Sequence, residues 1–397
     1  MDLESFEWLR TDEGGRLLDE AAAALGDGAS ELAVQARLRR RADGAHVTAA
    51  LTQASLRRRA RAKFGAAADL LWFTPAGLEQ ATRPSVAAHR ARRLEAYDVR
   101  AFADLTCGIG GDLMATATAT GATCVGTDLD PVTAAVAQAN VDSLGLPVAV
   151  DVRDGTTLAL GSFDAVMIDP ARRDGTGRTF RADAWEPSWD VLAGLLTGPV
   201  PAVAKVAPGL PHDLVPAGVE AEWVSDRGHL KEAALWGPAL ATARHRATVL
   251  GTSGLATLTD ADDPVAPGTP APTGAVGAYL VEPDDAVVRA GLVTAVAARC
   301  DGWLVDPHLA YVSADSPGPA ALSRSYRVVE ELPYREKQLR AALRFRRVGT
   351  LTIKKRGVDV VPEQLRKRLD LSGEETATLV MTRVAGVGTA LLVEPVD

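Results

Sequence analysis

The stretch FADLTCGIGGD, Phe102 to Asp112, decides the fold of this chain. It begins as an apolar strand that ends in an acid, Asp104, and continues through Gly108 and Gly110 into a helix of small residues. A glycine turn between a strand and a helix lets backbone amides approach a ligand closely. In the dinucleotide pattern GxGxxG the third glycine would fall on Leu113, so a dinucleotide site is disfavoured.

Strand-like and helix-like segments alternate from Val99 to about Gly251, which predicts an α/β fold with a doubly wound, mostly parallel, Rossmann-like sheet. The residues before this region are helical in pattern. Thr74-Pro75 fits an N-cap followed by a first-turn proline, and Pro84 divides the segment that follows into two helices. Residues 252–275, rich in Pro, Thr, Ala and Asp, are predicted to be a linker.

The chain is therefore predicted to contain an N-terminal helical domain (1–97), the α/β domain (98–251), a linker with a small α/β extension (252–320), and a small α+β domain (321–397). The predicted elements of the last domain end in two apolar strands, ATLVMTRV and TALLVEPV.

Composition places the chain among soluble globular proteins, with 47% hydrophobic and 24% charged residues. No apolar run is long enough to span a bilayer, so we expect a cytoplasmic protein without membrane contact. Cys107, Cys124 and Cys300 lack CxxC spacing and the histidines are dispersed, so we expect neither disulfides nor a metal site.

Charge is distributed unevenly. The net charge is −8, yet residues 324–368 hold fourteen Lys and Arg against five Asp and Glu, and residues 35–65 hold nine against one. Two basic blocks flanking an acidic middle indicate an anionic partner.

Acids follow the next two strands as well. GTDLDP places Asp128 and Asp130 at the end of the second strand, where a carboxylate can accept both hydroxyls of a ribose. VDVRDG places Asp151 and Asp154 at the end of the third, where either could accept an adenine amino group. The alternative is that these acids only cap helices.

A glycine turn with acids at three successive strand ends resembles the pocket of class I S-adenosylmethionine-dependent methyltransferases. The resemblance implies that S-adenosylmethionine is the cofactor, and it assigns the following residues to its binding: Asp104, Thr106, Gly108, Gly110, Asp128, Asp130, Asp151 and Asp154.

The fourth strand ends in MIDPARR, Met167 to Arg173, which in this superfamily lines the acceptor side of the pocket. Asp169 and Pro170 match the Asp/Asn-Pro-Pro-aromatic motif of enzymes that methylate exocyclic amines, but Ala171 and Arg172 do not. DPAR is similar to RNA 5-methyluridine methyltransferases, yet the cysteine that this family uses after the fifth strand is missing from VAKVAPGLP, so covalent catalysis is disfavoured.

We assign Asp169 as hydrogen-bond acceptor or base for a proton of the substrate, and Pro170 as the residue that fixes the turn. Arg172 is grouped with them as catalytic, and Arg172 and Arg173 are predicted to hold a phosphate or carboxylate of the substrate. The alternative for both arginines is an ion pair with a neighbouring acid such as Asp174 or Asp183.

The C-terminal block RFRRVGTLTIKKRGVDV resembles the THUMP-like domain of an actinobacterial methyltransferase family, and the N-terminal segments LTQASLRRRARAKF and FTPAGLEQATRPSVAAHRARR resemble that family too. THUMP domains are associated with binding structured RNA. We therefore predict substrate binding by Lys354, Lys355 and Arg356, the alternative being a solvated hairpin end.

These observations predict a methyltransferase that acts on a base nitrogen of RNA. Two alternatives stay open: a methyltransferase of a small molecule or protein, and a catalytically silent RNA-binding protein that keeps the cofactor pocket. The sequence leaves the oligomeric state open.

Overall fold

A computed structural model describes residues 1–172, 185–252, 254–266 and 268–396. The chain divides into two compact units: Met1–Val206 with Leu210–Val219 and Ala234–Ala241, and Ala207–Gly209 with Glu220–Ala233 and Thr242–Asp397. The four domain ranges given above stay a prediction.

The first unit begins with helices. They are α1 (Leu3–Leu9), α2 (Asp12–Gly26), α3 (Glu31–Leu38), α4 (Gly44–Phe64), α5 (Pro75–Gln80) and α6 (Pro84–Ala96). The hydroxyl of Thr74 accepts a hydrogen bond from the amide of Gly77 and caps α5, and Pro84 opens α6, so the predicted break between two helices is confirmed. Leucines of α2, α3 and α4 form a core of their own.

Strands and helices then alternate as predicted. They are β1 (Ala101–Asp104), α7 (Gly111–Thr120), β2 (Thr123–Asp128), α8 (Pro131–Ser143), β3 (Val148–Val152), β4 (Ala165–Ile168), β5 (Ala171–Arg172), β6 (Trp185–Glu186), α9 (Trp189–Leu196) and β7 (Ala202–Val206).

Strands β7, β4, β1, β2 and β3 lie side by side in that order, and every neighbouring pair is parallel. The predicted parallel α/β sheet is confirmed. The central strands consist of apolar residues, as is typical of a parallel sheet covered by helices. Their side chains pack with those of the helices in one buried core, which includes Phe102, Leu113, Val136 and Met167. The carboxyl ends of these strands consequently share one edge.

The second unit contains the remaining elements. They are β8 (Glu220–Asp226), β9 (His229–Trp236), whose last three residues belong to the first unit, β10 (His245–Gly251), β11 (Gly254–Thr259), β12 (Tyr279–Pro283), α10 (Asp285–Ala290), α11 (Val293–Ala298), β13 (Trp303–Leu304), β14 (Val312–Ala314), β15 (Ser323–Leu332), α12 (Glu336–Phe345), β16 (Val348–Lys355), α13 (Pro362–Leu369), β17 (Glu375–Val384) and β18 (Val387–Val396).

Strand β11 corrects the linker prediction. Residues Gly254–Thr259 pair antiparallel with Arg246–Gly251 of β10, so this part of the predicted linker is a strand. Its composition of small and polar residues is typical of a loop, but backbone hydrogen bonds to β10 need no particular side chain. The φ of +118° at Gly254, the first residue of β11, is open only to glycine.

The C-terminal sheet has the order β13-β14-β12-β15-β18-β17-β16. β12 pairs with β15, so strands on both sides of the predicted boundary at residue 320 share one sheet. The two predicted apolar strands at the end of the chain are confirmed as β17 and β18. Helices α12 and α13 bury Leu339, Leu343, Leu365 and Leu369 in one core with the sheet. Among the described residues, no helix is long and apolar enough to cross a membrane.

Candidate active site

The carboxyl edge of the parallel strands gathers polar side chains. β1 ends at Asp104, β2 ends at Asp128, Asp169 follows β4 directly, and Lys205 is next to last in β7. Ligands of open α/β sheets bind at this edge, where the strand order reverses. It is therefore the candidate active site.

The glycine turn that follows β1 has a backbone that other residues rarely adopt. Gly108 and Gly110 have φ of +54° and +85°, and Gly110 is the N-cap of α7. A Cβ placed on Gly108 would meet no described atom within 4 Å, apart from its chain neighbours. Packing therefore does not explain the glycine at this position, and open space lies above the turn.

The two acids at the carboxyl end of β2 accept hydrogen bonds from different elements. Asp128 accepts hydrogen bonds from the amides of Gly108 at 3.2 Å and Asp130 at 2.9 Å, and burial raises its pKa. Asp130 caps α8 by accepting from the amide of Thr133 at 2.7 Å. Asp128 is thus bound to the glycine turn, whereas the capping bond accounts for Asp130 without a ligand.

The two acids at the third strand end have different partners. Asp151 is an exposed residue of β3 whose carboxylate lies 3.9 Å from Arg153. Asp154 caps a short 3-10 helix by accepting from the amide and hydroxyl of Thr156 at 2.9 and 2.7 Å, and these bonds lower its pKa. Gly155 packs against β1, because a Cβ there would lie 2.1 Å from the carbonyl oxygen of Leu105.

Asp104 is the buried acid of the site, with only 2% of its surface exposed. Burial raises its pKa to about 8, the nearby carboxylate of Asp112 adds to the rise, and a hydrogen bond from the amide of Thr106 at 3.2 Å opposes it. At neutral pH the side chain is consequently protonated and can donate a hydrogen bond.

A buried ion pair that sequence reasoning missed lies near Asp104, and both of its charges affect the pKa of that acid. Asp112, in the first turn of α7, accepts a hydrogen bond from the hydroxyl of Thr82 at 2.6 Å and pairs with the guanidinium of Arg90 on α6. Arg90 was visible only as one of several arginines in a helical segment, so nothing in the sequence distinguished it. This pair ties the N-terminal helices to the glycine turn.

Asn140 of α8 makes a second connection to the glycine turn, through hydrogen bonds to backbone groups. It is fully buried, donates to the carbonyl of Ile109 at 2.9 Å, and accepts from the amide of Trp72 at 2.7 Å. The segment between α4 and α5 is thereby held against the glycine turn.

Asp169 is linked both to the glycine turn and to β7. Its amide donates to the hydroxyl of Thr106 at 2.6 Å, and its Oδ2 pairs with the ammonium of Lys205. Its Oδ1 has no partner among the described residues, and a third of the side chain is exposed. Pro170 is buried. Lys205 was missed, although a single lysine in the apolar strand PAVAKVAPG was a usable signal.

The remaining predicted residues belong to two further segments of the chain. Arg172 belongs to the short strand β5, and Arg173 lies outside the described residues. In the second unit, Lys354 pairs with Glu282, which raises the lysine's pKa against the effect of burial, and Arg356 donates to a backbone carbonyl at 3.0 Å. Of these three cations only Lys355 is exposed. No cluster of three His, Cys, Asp or Glu that could hold a metal occurs in the described residues.

The fold and the sequence of this chain are similar to those of proteins named as methyltransferases. A solved structure of a Porphyromonas gingivalis protein assigned as a methyltransferase matches with a TM-score of 0.70 at 21% identity, covering 89% of this chain and 91% of that one. Two Mycobacterium tuberculosis proteins, from strains CDC 1551 and H37Rv, share 38% identity over 84% of this chain and 92% of their own length. Each is named an uncharacterized S-adenosylmethionine-dependent methyltransferase.

The chain belongs to this family of S-adenosylmethionine-dependent methyltransferases. It is an enzyme, and S-adenosylmethionine is its cofactor, as the sequence predicted. Residues 323–395 match the family model described as THUMP domain-like, which confirms the predicted C-terminal resemblance. Residues 2–60 match a domain of unknown function, DUF8688.

Proposed function

We propose that this enzyme methylates RNA at a base nitrogen. Nitrogen is supported as the acceptor by the carboxylate of Asp169. Its Oδ2 pairs with Lys205, whereas its Oδ1 has no partner among the described residues and can accept a proton from a base nitrogen. The observation that supports RNA is the THUMP domain-like match together with exposed cations in the same range.

The residues at the glycine turn fit the cofactor. The open space above Gly108 admits the amino-acid portion close to the backbone. Each oxygen of Asp128 accepts one amide hydrogen bond and keeps a second lone pair, so the carboxylate can also accept from two ribose hydroxyls. The cofactor supplies a methyl group on a positively charged sulfur.

The role of Asp169 follows from the chemistry of the acceptor. Methyl transfer from a sulfonium is an in-line displacement, so the protein chiefly aligns the two reactants. A base nitrogen that carries a proton must lose it, and Oδ1 of Asp169 can accept that hydrogen bond or proton. Lys205 restrains Oδ2, while the bond between the Asp169 amide and Thr106 keeps the carboxylate beside the glycine turn.

RNA contact is proposed for the exposed cations of the THUMP domain-like range rather than for the whole KKRG segment. Arg335, Lys337, Lys355 and Lys367 are exposed and form no ion pair among the described residues. Lys354 and Arg356, by contrast, have partners in their own unit. Phosphates attract such free cations without selecting a base sequence.

The test is methyl transfer from radiolabelled S-adenosylmethionine to size-fractionated RNA from a strain that lacks this protein. We expect label in one RNA fraction, and Asp169→Asn should reduce it about 100-fold or more while cofactor binding, measured separately by titration, persists. Asp19→Asn, an exposed acid on α2, is the matched control and should transfer normally. Cofactor binding without label in any RNA would refute RNA as substrate and favour a small molecule or protein.

A further inference from the structure

Phe345 is the most exposed large hydrophobic side chain among the described residues, with 87% of its surface accessible. It is the last residue of α12, whose buried residues are Leu339 and Leu343. At 100° per residue, Phe345 lies about 200° around the helix from Leu343, so its ring points away from the sheet. The core of this unit therefore does not use the ring.

The segments that contain α12 and α13 have an excess of positive charge, although Arg346 and Arg347 pair with Glu330 and Glu374 outside them. Residues 335–347 and 362–370, which contain α12 and α13, hold nine Lys and Arg against three Asp and Glu. Exposed Lys337 lies two turns before Phe345 on the same side of α12, and exposed Ala341 lies between them. An exposed aromatic ring therefore lies on the same side of α12 as a cation that attracts anions.

The same helices are held in place by their own polar bonds. Arg344 donates to the carbonyl oxygen and carboxylate of Asp370 at 2.7 and 3.1 Å, and Glu336 accepts from Arg368 at 2.8 Å. These bonds join α12 to α13. The position of Phe345 relative to the cations of both helices is therefore defined before any partner binds.

We propose that Phe345 stacks on an unpaired base of RNA whose phosphates contact the cations of α12 and α13. This rests on the proposed function and makes it more specific, because it assigns a single-stranded segment of the RNA to the THUMP domain-like range. Stacking on an aromatic ring suits any base, while the cations bind the backbone. A protein partner with an apolar surface would also have to neutralise this positive layer, so charge favours RNA.

The test compares two fluorescent RNA probes binding to the full-length enzyme: a single strand of about 12 nucleotides of mixed sequence and a blunt duplex of the same length. We expect Phe345→Ala to weaken single-strand binding about 5- to 150-fold, the range typical of one stacked base. Duplex binding should not change, and Phe345→Trp should restore the single-strand affinity. Val387→Ala, at an exposed apolar residue of the same unit, is the matched control.

Salt dependence separates the ring from the cations. Phe345→Ala should leave the slope of log single-strand affinity against log salt unchanged, whereas Lys337→Gln with Lys367→Gln should reduce the magnitude of this slope by about 1.4. Equal single-strand affinity for Phe345→Ala and wild type would overturn the stacking proposal. The proposal would also fail if the wild type is a dimer and Phe345→Ala is a monomer, because the ring would then contact a second copy of the chain. If wild type still methylates RNA in these cases, only the stacking proposal fails; absence of both binding and methylation refutes the RNA function as well.

Discussion

The protonation of Asp104 leads to a specific prediction about stability. Its pKa is about 8 in the folded chain, against 3.8 for an ordinary aspartate. Between pH 4 and 8 the unfolded chain has therefore released this proton while the folded chain still holds it. Stability falls as pH rises wherever the folded state binds more protons, so the wild type should lose stability across this window.

The magnitude follows from the linkage relation. One proton of difference corresponds to about 1.4 kcal/mol of unfolding free energy per pH unit, or about 3 kcal/mol between pH 5 and 7. Asp104→Asn removes the titrating group and keeps an oxygen that can accept from the amide of Thr106. The unfolding free energy of the variant, relative to that of the wild type, should therefore rise by about 3 kcal/mol from pH 5 to 7. This difference should become constant above pH 8.

The assay is urea unfolding of both proteins at pH 5, 6 and 7 at constant ionic strength, followed by tryptophan fluorescence. Asp154→Asn is the control, because the pKa of Asp154 is lowered rather than raised and contributes no slope in this range. A difference in unfolding free energy between Asp104→Asn and wild type that stays constant from pH 5 to 7 would show that Asp104 is ionised in the folded chain.

Two further substitutions test how the site is supported. Gly155→Ala should destabilise the chain by about 1–3 kcal/mol in urea unfolding, since its Cβ would lie 2.1 Å from a backbone oxygen. Gly161→Ala, whose Cβ meets no described atom within 4 Å, should be neutral, and equal effects of the two would contradict the packing argument. Arg90→Met leaves the carboxylate of Asp112 buried without its cation and should cost about 3–5 kcal/mol; adding Asp112→Asn should recover part of that loss, and no recovery would show that the charge is not the cause.

Features that depend on neighbouring residues could be predicted from the sequence. Positive φ at Gly108 and Gly110, the helix start at Pro84, and the acids at strand ends all follow from local sterics, capping and the spacing of apolar residues. The parallel sheet followed from the alternation of strands and helices, because parallel neighbouring strands need crossover connections, which helices supply. The class of enzyme and its cofactor were predicted because this glycine turn and the acids at the strand ends resemble the pocket of a known family.

Pairing between distant residues could not be predicted in this way. Arg90 meets Asp112 across 22 positions, Lys205 meets Asp169 across 36, and Lys354 meets Glu282 across 72. β11 forms because β10 offers it backbone partners.

The sequence by itself determined the parallel sheet and the glycine turn, because these depend on backbone sterics and on the periodicity of apolar residues. Its resemblance to a known family implied the cofactor. Only the tertiary structure decided which charges are neutralised and which remain exposed, among them the inward pairing of Lys354 and the outward position of Phe345. The reason is physical: burial and ion pairing depend on what the rest of the folded chain brings near a side chain, and local patterns of the sequence do not reveal those distant neighbours.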